Sequence, residues 1–289
     1  MTETIRNPVE WSVDQMRHLG HALGVTGHAI GHTKETLHSP APTVQRIQVN
    51  DLKDVIRKGF ADFGAYRTDV IALCVIYPVV GLLLARAVFG YDMLPLLFPL
   101  ASGFALIGPF AALGLYEMSR ERERGTKVTW ANAFAVLKAP AIGPILLLGL
   151  GLVLLFLVWL AVAWFLYALT LGPTPPASIG AFAHDLFNTS AGWTLIIAGC
   201  GIGFLFALFA MSISVVSFPL LLDKDVGLDT AVRTSIRAVR MNPGPMAAWG
   251  LIVAGGLVLG SIPLFVGLIV VMPVLGHATW HLYRKLVAG

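Results

Sequence analysis

Apolar residues in this chain fall into long unbroken runs rather than into the three- and four-residue rhythm of a soluble bundle. A helix needs about 20 such residues to cross a hydrocarbon core some 30 Å thick. The first run covers residues 70–89, with Tyr77-Pro78 inside it; the second covers 94–116, after a tight turn at Phe89-Gly90-Tyr91-Asp92. The third and fourth, 141–171 and 192–222, are long enough to tilt or to extend beyond the bilayer. The last, 245–283, would measure roughly 58 Å as a single helix. Gly260-Ser261-Ile262-Pro263 supplies a turn at its middle, because proline cannot continue a preceding helix normally. Splitting it there predicts six spans.

Before each odd-numbered span the pattern changes to an amphipathic one. Leu52, Val55, Ile56, Phe60 and Phe63 share one helical face, opposite Lys53, Asp54, Arg57, Lys58 and Asp62. Trp130, Ala133, Phe134 and Leu137 recur at the same spacing after Thr129. Leu228, Val232, Ile236 and Val239 form the third apolar side, with Arg233, Arg237 and Arg240 opposite. Such helices lie in the headgroup plane with the basic face toward anionic lipid. Prolines at 140, 144, 243 and 245 open spans three and five; Pro109, Pro219 and Pro273 sit toward the inner ends of spans two, four and six. The pattern predicts three copies of one unit: interfacial helix, span out, span back.

Charge orients the weave. Of the 20 Lys and Arg residues, all but Arg86 fall in segments that six spans place on one side. Short basic loops stay in the cytoplasm, so both ends are expected there. The first 68 residues hold no apolar signal region, and the first span is expected to act as its own insertion signal. A mean hydropathy of +0.77 and 12% charged residues exclude an ordinary soluble domain. The net charge of +4 reads as topology and attraction to anionic lipid headgroups, not as a nucleic-acid footprint. Cys74 and Cys200 lie within apolar runs and read as small hydrophobes.

Candidate chemistry is sparse. Residues 1–43 form a cytoplasmic His- and Gly-rich arm in which Gly20-His-Ala-Leu-Gly-Val-Thr26 repeats as Gly27-His-Ala-Ile-Gly-His-Thr33. His21, His28 and His32 are its metal-ligand candidates, though no acidic or Cys ligand stands nearby, and a surface arm is the plainer reading. His277 and His281, one turn apart near the inner end of span six, are candidates for a haem or metal. No other span offers a second histidine, so an anchoring belt with Trp280 and Tyr283 is the preferred reading. Trp159, Trp164 and Tyr167 are expected near the outer interface. No Asp, Glu, Lys or Arg stands at the centre of a span, which argues against a pump or symporter. Ser212, Ser214 and Ser217 are expected to bond their own helix. Glu117 to Arg124 reads as a solvated helical extension, and Gly199-x-x-x-Gly203 and Gly256-x-x-x-Gly260 as close-packing motifs. No nucleophile or carboxylate pair suggests an enzyme, and no cofactor is called for.

Four stretches carry a likeness: 76–86 (Ile76-Tyr-Pro-Val-Val-Gly-Leu-Leu-Leu-Ala-Arg86), 108–117 (Gly108-Pro-Phe to Glu117), 217–227 (Ser217-Phe-Pro to Gly227) and 276–284 (Gly276-His-Ala-Thr-Trp-His to Arg284). Through them residues 44–286 resemble a bacterial integral-membrane family known as domain of unknown function 2189. The resemblance implies a membrane fold and brings no catalytic residues. Some members carry automatic labels suggesting cytochrome oxidase subunits, which for this chain would imply an accessory role at most. The expectation is an all-α, six-span inner-membrane domain over 44–289, a non-catalytic scaffold or accessory factor of an envelope or respiratory complex. Its partners would be membrane lipids, a second membrane protein or further copies of itself. A passive carrier or flippase for an amphipathic molecule is the second reading, and a haem- or metal-handling factor the third.

Overall fold

The computed structural model describes residues 42–90, 93–126, 133, 135–137 and 139–288. Among them the only regular structure besides helix is a bridge pairing Val44 with Val287. The helices are α1 (Asp51–Cys74), α2 (Ile76–Gly90), α3 (Leu97–Ala111), α4 (Leu113–Glu123), α5 (Ile142–Thr170), α6 (Ile179–Asn188), α7 (Ser190–Ser214), α8 (Ser217–Asp223), α9 (Leu228–Met241), α10 (Pro243–Ser261) and α11 (Leu268–Leu286).

Four helical runs are long and apolar enough to cross a membrane: Leu94–Glu123, Ile142–Thr170, Ser190–Asp223 and Pro243–Ser261. Leu150, Phe165, Ile197 and Phe204 are exposed on the outside of α5 and α7. Apolar surface on this scale needs lipid rather than water around it. The expected first and sixth spans take other forms. The first amphipathic segment runs without a break into the start of the first apolar run as α1, and the chain breaks at Val75. Pro78 has no N–H for the carbonyl of Cys74, which accounts for the break. Pro219 likewise leaves the Val215 carbonyl without a helical donor where α7 gives way to α8. The last helix, α11, carries a polar C-terminal half from His277 to Lys285, which lowers its hydropathy.

The split expected in the fifth run is present. Helix α10 ends at Ser261, and residues 262–267 reverse the chain with Leu264 and Phe265 at positive φ (51° and 65°). That conformation costs a non-glycine residue about 1–2 kcal/mol. The close crossing of Gly260 and Gly267 accompanies it: a Cβ on Gly267 would stand 2.8 Å from the Gly260 Cα.

Helix α6 lies between the third and fourth apolar runs, after the Pro-rich stretch Gly172-Pro-Thr-Pro-Pro176. Ser178 caps it by accepting from the Ala181 N–H (3.0 Å). Ile179, Phe182, Ala183, Leu186 and Phe187 follow at helical spacing, a signal legible in hindsight. The second amphipathic segment lies mostly outside the described residues; of its apolar positions, Leu137 is exposed and the neighbouring Val136 is buried.

One end of the bundle gathers the chain. Gln45 N–H donates to the Leu286 carbonyl (2.8 Å) and Ala288 N–H to the Thr43 carbonyl (3.0 Å). Asn242 accepts from Ile47 N–H at 2.8 Å and donates to the Gln45 carbonyl at 3.0 Å. Arg284 joins Glu123 of α4 and Asp223 of α8, each at 3.2 Å. Lys285 reaches Asp51 and Asp54 of α1. The chain therefore enters and leaves the bundle at the same end, where the long runs finishing at Glu123 and Asp223 also terminate.

Candidate functional site

Antiparallel packing of α1 on α11 builds a buried polar cluster at this end. The stripe Leu52, Val55, Gly59 and Asp62 of α1 is buried, at steps of three and four residues. At Gly59 a Cβ would meet the Val274 carbonyl at 2.7 Å and the Ala278 backbone nitrogen at 2.9 Å, so only glycine permits this approach. Asp62 is 4% exposed. The sequence reading put it on the solvated face; it belongs to the buried stripe, and Phe60, assigned to the apolar face, is 53% exposed. An acid at the end of a three-four-three apolar stripe was the signal that reading passed over.

The carboxylate of Asp62 is fully engaged. Ser119 Oγ of α4 donates to Oδ2 at 2.6 Å, and His281 Nε2 lies 2.9 Å from the same oxygen. Arg122 Nη1 donates to Oδ1 at 2.5 Å. Burial alone would raise the acid's pKa; hydrogen bonds from His281 and Ser119 and the nearby imidazoles outweigh it and hold the carboxyl below its ordinary range. His277, wholly buried, places Nδ1 at 2.8 Å from Ser119 Oγ and 4.0 Å from Asp62 Oδ2. His281 turns its Nδ1 toward Glu123 Oε1 at 3.7 Å. His277 Nε2 and Trp280 Nε1 are buried without hydrogen-bond partners.

Both histidines thus sit in the protein interior rather than in an interfacial belt. Trp280 and Tyr283, expected to share that belt, are buried as well, with the Tyr283 hydroxyl donating to Asp223 (2.7 Å). Ser, His and Asp are the residue types of a hydrolase triad, but their order here is different. In a triad the imidazole stands between hydroxyl and carboxylate and takes the hydroxyl proton. Here the hydroxyl stands in the middle and gives its hydrogen to the carboxylate, so Ser119 is not activated. Among the described residues no group of three or more His, Cys, Asp or Glu is placed to hold a metal ion. His21, His28 and His32 lie outside the described residues, as does Asp92 of the turn expected after the first run.

The run from Glu117 to Arg124 is solvated only toward its end, where Arg124 pairs with Glu121 at 3.0 Å. Glu117 is buried and paired to Arg120 (2.9 Å), which also donates to the Leu222 carbonyl of α8. Helix α9 also differs from expectation. Its buried face is Ala231, Thr234, Ser235, Ala238 and Val239, packed on α7 and α8, with Ser235 Oγ accepting from the Val216 N–H (3.2 Å). Small and hydroxyl-bearing residues thus take the packing role assigned to Leu228, Val232 and Ile236, which are half-buried. Arg233, Arg237 and Arg240 are exposed as expected, Arg233 pairing with Asp229 at 2.9 Å.

Toward the middle of the bundle an apolar groove of about 160 Å³ opens between α3, α7, α10 and α11. It exists because its walls are small: Ala105, Gly108, Ala207, Gly250, Ala254 and Gly276. Ala207 and Ala254 are exposed, so the groove opens sideways, between α7 and α10. Ser214 at its inner part spends its hydroxyl on the Ala210 carbonyl (2.6 Å), and Ser212 and Ser217 bond back along their own chain, as expected. Trp159, expected at the outer interface, turns inward to donate to Ser102 (2.9 Å). Tyr167 is buried too, and Trp164 is exposed.

Long apolar helices and lipid-type exposure define a helical integral membrane protein. A family profile described as "Predicted integral membrane protein (DUF2189)" matches residues 97–223, the stretch from the start of α3 to the end of α8. The likeness read from the sequence is thereby shown over that stretch; those at 76–86 and 276–284 fall outside it. No curated protein and no solved structure matches the chain.

Proposed function

We propose that the chain is a six-span protein of the bacterial inner membrane with both ends in the cytoplasm. It acts by binding rather than by catalysis, and it holds an amphipathic small molecule between its spans as a passive carrier does. The span count is supported by connectivity. Four apolar runs end alternately at the two ends of the bundle, and the chain enters and leaves at one end. α1 with α2 must then complete a first passage, and α11 a last one. Orientation is supported by the basic residues gathered at that end, Arg120, Arg122, Arg284 and Lys285 among them. Reporters fused after Lys224 and Gly289 are expected to be cytoplasmic, and insertions near Ser178 to be exported. An exported Gly289 reporter would remove the sixth span.

The groove carries the carrier reading over the scaffold reading. Its volume is comparable to that of engineered cavities of about 150 Å³, which stay dry and take up benzene-sized apolar molecules. A lateral opening lets such a guest enter from the bilayer. Purification in mild detergent followed by native mass spectrometry is expected to show a co-purifying small molecule. Ala254→Trp, which fills the mouth of the groove, should lower its occupancy at least tenfold without lowering yield. A stoichiometric protein partner, with no bound small molecule and no effect of Ala254→Trp, would restore the scaffold reading.

A further inference from the structure

The apolar groove runs lengthwise along the bundle. Its walls extend from Trp249 to Leu257 on α10 and from Ala207 to Val215 on α7. At the helical rise each stretch is about 12 Å long, so the groove lies parallel to the hydrocarbon chains around the bundle. Helix α10 starts at Pro243, which places the groove between about 9 and 21 Å along it, at hydrocarbon depth. No charged side chain lines the groove. Ser214 and Thr279 give their hydroxyl hydrogens to the carbonyls of Ala210 and Leu275, at 2.6 and 2.7 Å. What fits inside is hydrocarbon, and any charged group of the same molecule must stay outside.

Helix α9 supplies a place for that charge. Its middle is tied to the junction of α7 and α8, where Val216 N–H donates to Ser235, and its end passes through Asn242 directly into α10. Residues 235–242 therefore bridge the two helices that flank the groove's mouth, at the end where α10 begins. Arg237 and Arg240 stand three residues apart on one face of this bridge, and both are exposed. Arg233 is paired with Asp229, whereas among the described residues neither Arg237 nor Arg240 has an acidic partner. Guanidinium groups match phosphate oxygens through paired N–H donors.

We propose, resting on the carrier reading, that the guest is an anionic glycerophospholipid: one acyl chain lies in the groove, and the phosphate headgroup sits on Arg237 and Arg240. The chain enters sideways past Ala207 and Ala254 while the headgroup stays at the interface, so no charge enters hydrocarbon. Selection among lipids then falls to the two arginines, because the groove itself meets only hydrocarbon.

Native mass spectrometry tests this on the full chain, delipidated in mild detergent and titrated with phosphatidylglycerol or phosphatidylcholine of identical acyl chains. Phosphatidylglycerol should bind as a single tight equivalent, on the order of tenfold tighter than phosphatidylcholine. Arg237→Gln with Arg240→Gln should bring phosphatidylglycerol down to the phosphatidylcholine level, with an unchanged unfolding midpoint because both side chains are exposed. Ala254→Trp should remove the tight equivalent altogether. Equal affinity for the two lipids, with Ala254→Trp still blocking uptake, overturns the proposal and leaves the carrier reading standing. A phosphatidylglycerol preference that survives Ala254→Trp also overturns it, since lipid is then gathered only on the surface of α9. Absence of tight binding by either lipid overturns it as well, and the carrier reading falls too if no other small molecule co-purifies.

Discussion

Asp62→Ala should destabilise the protein by about 1–3 kcal/mol, the cost of leaving buried hydrogen-bond donors without their acceptor. The substitution strips the shared acceptor from Ser119, Arg122 and His281. Asp54 is the control. It lies on the same helix and pairs with Arg57, Lys58 and Lys285 at a far more exposed position. Asp54→Ala should therefore cost no more than about 1 kcal/mol. Denaturant titration in nanodiscs measures both, and equal losses would show that Asp62 is a surface acid after all.

Acid sensitivity follows from the same contacts. The folded pKa of Asp62 is depressed, so its stabilising contribution is complete above the unfolded value of about 3.9 and disappears as pH falls through the folded value. Asp62→Asn should flatten the acid limb of the stability curve below about pH 4. An unchanged acid limb in that variant would place the sensitivity on another carboxylate.

How much of this could be read from residues alone depended on whether one helix or several decide the outcome. Long apolar runs and the reversal near Gly260 were legible because length and proline act locally. So was the exposed basic face of α9. What the sequence pattern misassigned were faces whose partner lies far along the chain. Asp62 looks solvated beside Lys58, until Ser119 and His281, 57 and 219 residues away, supply donors for it. His277 resembles an interfacial histidine until α1 and α4 close over it. In α9 the packing face went to Ala231, Ser235 and Ala238 because α7 and α8 come close enough to exclude larger residues. Hydrophobicity ranks Leu228 and Ile236 above them; the space available on the partner helices decides otherwise.

Gly59→Ala should cost more than a single methyl group would suggest, about 1–3 kcal/mol, and Gly59→Leu should cost more still. The added Cβ meets the Val274 carbonyl and the Ala278 backbone nitrogen within 3 Å. These are backbone atoms of a continuous helix, so no side-chain rotation relieves the clash, and α1 must lift from α11. Lifting α1 also draws Asp62 away from Ser119 and His281 one turn further on, so packing and hydrogen bonding fail together. Gly64→Ala on the same helix meets nothing within 4 Å. It should stabilise by up to about 1 kcal/mol, because alanine is the better helix former. The two substitutions add the same atom five residues apart and are expected to have opposite signs. Unfolding midpoints of the two variants measured side by side in nanodiscs test this. If both stabilise, α1 does not pack on α11 at Gly59, and the buried cluster built on that contact fails with it.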